Sequence, residues 1–143
     1  MKQLRWHQIA AATVALVASA ACGGDDDRTP MEVVAVPGTL VLSLTTPNSD
    51  DGAVMFSISG EGITGLTRES PSHVVYFRSA GTVSGNAVVA GDITAGALAR
   101  FNVPDVAAVS SYSATITEVA ARDNTLRGSV TGYSLSISPA EGS

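Results

Sequence analysis

The run Thr39-Leu40-Val41-Leu42-Ser43-Leu44-Thr45, then Pro47-Asn48-Ser49-Asp50-Asp51-Gly52, then Val54-Met55-Phe56-Ser57-Ile58-Ser59, decides the fold class. Leu40, Leu42 and Leu44 fall on one side of an extended chain, and Val54, Phe56 and Ile58 do the same beyond the polar break. Side chains alternate sides along a strand, so this period of two marks half-buried antiparallel strands. The break has turn composition, which predicts a hairpin between the two runs, with Asp51-Gly52 supplying positive φ.

The same alternation recurs in residues 74–79, 87–90, 97–103, 112–120 and 133–138, where Tyr133, Leu135 and Ile137 face one way and serines the other. Seven short strands broken by Gly, Pro, Asn and Asp predict an all-β protein, an antiparallel β-sandwich in which two sheets each bury one apolar face. Helical periodicity is scarce. Val106-Ala107-Ala108-Val109 after Asp105 predicts one helical turn, with Asp105 as its cap. Ser59-Gly60-Glu61-Gly62-Ile63-Thr64-Gly65 has the spacing of a dinucleotide-binding turn. No helix follows to offer its N-terminus to a phosphate, so a flexible inter-strand loop is expected.

Upstream of the strands the composition changes. Residues 1–8 carry Lys2 and Arg5 without an acid, and residues 9–18 form an apolar run half the length needed to cross a bilayer. This is the layout of an export signal. Ser19-Ala20-Ala21 then leads into Cys22, the sole cysteine of the chain, followed by Gly23, Gly24 and three aspartates. The segment resembles the lipobox of bacterial lipoproteins. That resemblance implies a diacylglycerol on the Cys22 thiol, cleavage before Cys22 and acylation of the new amino group. The family usually has an apolar residue where Ser19 stands, and the small residues here also suit ordinary signal peptidase, which would release a soluble exported protein. The organisation expected is a signal peptide over 1–21, a lipidated tether over 22–37, the sandwich over 38–139 and a tail over 140–143.

The stretch from Gly91 to Ser138 is similar in layout to the second half of cohesin-type β-sandwich modules. The likeness lies in Gly96-Ala97-Leu98-Ala99-Arg100-Phe101-Asn102-Val103, in residues 112–123, and in Gly132-Tyr133-Ser134-Leu135-Ser136-Ile137. It implies a cohesin-like or immunoglobulin-like sandwich used for binding.

Charge and residue types narrow the chemistry. After residue 21 there are six arginines, no lysine and 13 acids, a formal charge of −7, with no basic cluster to hold phosphate, so nucleic acid is not an expected partner. One cysteine excludes a disulfide framework, and His73, the only histidine after the leader, excludes a two-histidine metal site within one copy. Asp50 and Asp51 are the weak candidates for calcium, but an EF-hand would need Glu where Ser59 stands. The alternative, a small envelope hydrolase or ligand-binding accessory, would have to use His73 with a nearby acid. No Gly-x-Ser-x-Gly elbow accompanies it, and its place after Pro71-Ser72 predicts a surface position. Glu61 with Glu69, or Asp92 with Asp105, would be the carboxylate pairs of a glycosidase, though nothing in their spacing favours one. Trp6 leaves with the leader, which removes a tryptophan platform for sugars.

No cofactor is expected. The function expected is that of an exported lipoprotein of the cell envelope, held to the membrane through Cys22, whose non-catalytic sandwich binds a protein or glycan partner or acts as a spacer. The contact is expected on a sheet face or edge strand, at residues 74–79 or 87–90.

Overall fold

The computed structural model describes residues 34–142, and the leader and Cys22 lie outside that range. Eight strands form: β1 (Gly38–Thr45), β2 (Asp51–Ser59), β3 (Thr64–Arg68), β4 (Val74–Ser79), β5 (Ser84–Ile93), β6 (Gly96–Val103), β7 (Ser113–Ala121) and β8 (Ser134–Pro139). They make two antiparallel four-stranded sheets, β3-β6-β1-β8 and β4-β5-β2-β7. The protein is a β-sandwich. Leu40, Leu42, Leu44 and Phe101 from one sheet meet Val54, Phe56, Ile58 and Val89 from the other, all buried, as their alternation requires. Phe101 sits at the centre with its ring 6.1 Å from that of Tyr112.

Two expectations about connectivity are corrected. The runs that looked like a hairpin lie in different sheets: β1 pairs with β6 and β8, β2 with β5 and β7. Period two says which face is buried, and strands facing each other across a core satisfy it as well as strands side by side. Among the described residues β4 and β5 are the only consecutive strands that pair directly. The second correction is β3, an edge strand formed where a flexible loop was expected. Gly60, Gly62 and Gly65 all have positive φ and lead the chain into it. At Gly60 a Cβ would lie 2.1 Å from the Tyr112 ring, so close approach explains the glycine that the nucleotide spacing had suggested.

Asp51-Gly52 is not a turn either. Both residues open β2 at a bulge, where the register slips between Asp51 and Ala53 against both neighbours. Gly52 does not have positive φ; a Cβ there would come within 2.8 Å of the Ala121 carbonyl oxygen and the Arg122 Cα. Gly52→Ala is therefore expected to cost about 2 kcal/mol by overpacking against backbone. Urea denaturation checks this, and an unchanged midpoint would contradict the bulge's role.

The helical turn also forms elsewhere, as a 3-10 turn over Val109–Ser111. Asp105 has a different task. Its Oδ1 accepts from the Ala107 amide and from the Val36 amide, while the Val36 carbonyl accepts from Val106. The chain is thus fixed to the sandwich from Val36, two residues before β1.

Candidate functional site

The outward side chains of the β4-β5-β2-β7 sheet follow from its register. One row runs Val74, Ala90, Ala53, Ala120; the next runs Tyr76, Val88, Met55, Glu118; a third runs Arg78, Asn86, Ser57, Thr115. The first two rows are almost wholly apolar. Tyr76 is 67 % exposed, Val74 47 % and Met55 39 %, and Leu126 stands beside Ala120 through an isolated bridge. Shallow hollows on this face are lined by Met55, Tyr76 and Val88 and by Ala53, Glu118 and Leu126. An exposed apolar sheet face of this kind is costly in water and is the type of surface that binds. Both stretches expected to carry a contact, 74–79 and 87–90, lie on it, as the edge strand β4 and the middle of β5.

Charge is placed at its margins. Arg78 on β4 and Glu118 on β7 make no ion pair among the described residues, whereas Asp92 and Arg122, above the first row, pair with each other at 2.6 Å. The face thus carries one unpaired cation and one unpaired anion on its opposite edge strands.

The residues singled out for chemistry are held by structural bonds instead. Asp51 is fully buried at the start of β2. Its Oδ1 accepts from Arg127 Nε at 3.2 Å, Arg127 Nη2 at 3.0 Å and Tyr133 Oη at 2.9 Å, and its Oδ2 from Thr46 Oγ1 at 2.6 Å. Asn48 Nδ2 in turn donates to Tyr133 Oη. The exposed Asp50 accepts from the same Arg127 Nη2 at 2.5 Å. The hydrogen bond to Asp50, offset in part by desolvation and aided by the bonds to Asp51, raises the Arg127 pKa above its ordinary value. Every Asp51 oxygen therefore already faces protein donors, which leaves the weak calcium candidates Asp50 and Asp51 as ion-pair partners of an arginine. Sequence reasoning missed this cluster.

His73 is buried, not at the surface as expected, because the inward phase of Val75 and Phe77 extends one step back along the chain. Its Nε2–H donates to the Asp92 carbonyl oxygen at 3.1 Å and its Nδ1 has no partner. Neither ring nitrogen meets a carboxylate or a hydroxyl, so the His–acid arrangement a hydrolase would need does not form there. Three of the other acids singled out, Glu69, Asp92 and Asp105, are likewise engaged. Glu69 is bound by Arg100, whose hydrogen bonds hold its carboxyl below the ordinary carboxylate range; Asp92 is bound by Arg122 and Asp105 by backbone amides. Glu61 contributes its backbone carbonyl, which accepts from Tyr112 Oη. Desolvation, aided by Asp105 and Glu61, pushes the Tyr112 phenol up.

Among the described residues no group of three or more His, Cys, Asp or Glu is placed to hold a metal ion, and no helix is long and apolar enough to cross a membrane. No protein-family model matches the chain, and no curated protein or solved structure is significantly similar to it.

Proposed function

We propose that this chain is an exported lipoprotein of a bacterial cell envelope, lipid-anchored at Cys22, whose small non-catalytic sandwich works as a binding or structural module at the membrane. The observation that carries the reading is the coincidence of the sole cysteine with the end of an export leader, after Ser19-Ala20-Ala21. A thiol consumed by lipid accounts for a cysteine at that position and nowhere else. Two or three acyl chains, at roughly 0.8 kcal/mol per buried methylene, anchor a protein stably where one would not. The tether of this reading is residues 22–37, of which Val36 is bonded to the sandwich.

The module's side of the proposal is supported by the apolar face of β4-β5-β2-β7 and by the likeness in layout to cohesin-type modules, a class of binding domain. A hydrolase reading gains no support, since its one histidine is buried against a backbone carbonyl. Fractionation tests the anchor: the wild-type protein is expected with membranes and Cys22→Ser in the soluble exported fraction. Wild-type protein recovered in the soluble fraction would count against it.

A further inference from the structure

We propose that the occupant of the outer β4-β5-β2-β7 face is a second copy of this chain, docked face to face about a two-fold axis that runs along the strands between β5 and β2. This deepens the binding-module reading and rests on it for the choice of face. A two-fold interface must be self-complementary, because the same patch serves both sides. The register supplies this. Such an axis carries β4 of one copy over β7 of the other and β5 over β2, while each row stays at its own height. Val88 then lies over Met55 of the partner subunit, and Val74 over Ala120 of the partner subunit.

The charges decide the axis. Arg78 comes over Thr115 of the partner subunit, one row from Glu118 of the partner subunit, a step of about 7 Å along a strand and within the reach of an arginine side chain. The symmetry repeats the contact, so two ion pairs flank an apolar centre, and the two charges left unpaired within one copy both find partners. An axis perpendicular to the strands would instead put Arg78 over Val74 and set the two copies of Glu118 against each other, a like-charge contact.

Four strands about 4.8 Å apart and some six residues long present a flat face on the order of 400 Å². That is about half the footprint of a standard stable interface, which fits only a weak, reversible dimer whose strength depends on its charges. Two copies tethered to one membrane meet at a raised effective concentration, which favours a weak contact of this kind.

Sedimentation equilibrium of the full exported chain carrying Cys22→Ser, so that no acyl group contributes, tests the proposal. A concentration-dependent dimer is expected. Arg78→Glu or Glu118→Arg alone should weaken it at least about tenfold, and the double reversal should restore it to within about threefold, since charges are exchanged in place. Circular dichroism confirms that each variant is folded. A chain that stays monomeric at millimolar concentration overturns the proposal. So does a dimer indifferent to Glu118→Arg, which would indicate pairing through the β4 edge, and so does a folded double variant that stays monomeric. A monomer that still fractionates with membranes through Cys22 defeats the dimer alone and leaves the anchored module standing.

Discussion

Replacing Asp51 by alanine is expected to lower the unfolding free energy by about 3 kcal/mol, the range for removing one member of a buried charged network. The carboxylate is fully buried and accepts four hydrogen bonds, three of them converging on Oδ1. Its loss leaves Arg127 with the exposed Asp50 alone and leaves the Thr46 and Tyr133 hydroxyls turned toward a void. These donors come from three places: Thr46 just after β1, Arg127 in the segment after β7 and Tyr133 just before β8. The cluster therefore fastens loops of both sheets at one end of the sandwich. Urea denaturation should show a lower midpoint with an unchanged slope. Amide exchange should accelerate in residues 121–133, where the Ala121 and Arg127 amides now bond to the Thr125 and Val119 carbonyls. A loss under about 1 kcal/mol would mean that the cluster adds little beyond an exposed ion pair.

Phe101→Ala is expected to cost about 4 kcal/mol, through lost burial and the cavity left behind. Phe101 lies on β6 between β3 and β1, fully buried, and its ring meets Tyr112, whose hydroxyl ties the 3-10 turn to Glu61. Both sheets would line the gap, so neither can close it by moving alone. Tyr76→Ala on the exposed face provides the contrast and should stay within about 0.5 kcal/mol of the wild type. A comparable loss at Tyr76 would contradict the division between a packed interior and an outer face free for contact.

The buried face of each long strand was legible because Leu40, Leu42, Leu44 and Val54, Phe56, Ile58 keep an unbroken period of two. What alternation does not encode is which sheet a strand joins, and so β1 and β2 read as a hairpin. β3 was illegible for a different reason: Thr64-Gly65-Leu66-Thr67-Arg68 offers one apolar side chain, which suffices at a sheet edge but leaves no pattern. Asp51 was hidden by the bulge, since counting back by two from Val54 gives Gly52 the inward place and the slip hands it to Asp51. The burial of His73 could have been read, because it shares the phase of Val75 and Phe77. Its position after Pro71-Ser72 suggested a loop and masked that signal.

The outer face shows the same limits. Val74, Tyr76, Met55 and Val88 were visible as alternating residues, but only the pairing of β4 with β5 and β5 with β2 brings them into one row and sets Arg78 and Glu118 on opposite margins. Those non-local pairings carry the information about the composition of the face that single strands lack. The surroundings of the Glu61–Glu69 and Asp92–Asp105 pairs were hidden for a related reason: the arginines and backbone amides that bind Glu69, Asp92 and Asp105 come mostly from distant parts of the chain.

The central claim is that the sandwich works from a membrane through Cys22, and intact-mass measurement of the exported protein tests it most directly. A chain of residues 22–143 heavier than its peptide mass by a diacylglycerol, with or without a further acyl group, is expected, and the added mass should be lost in Cys22→Ser. A wild-type chain cut near residue 21 at bare peptide mass, identical in behaviour to Cys22→Ser, would contradict it.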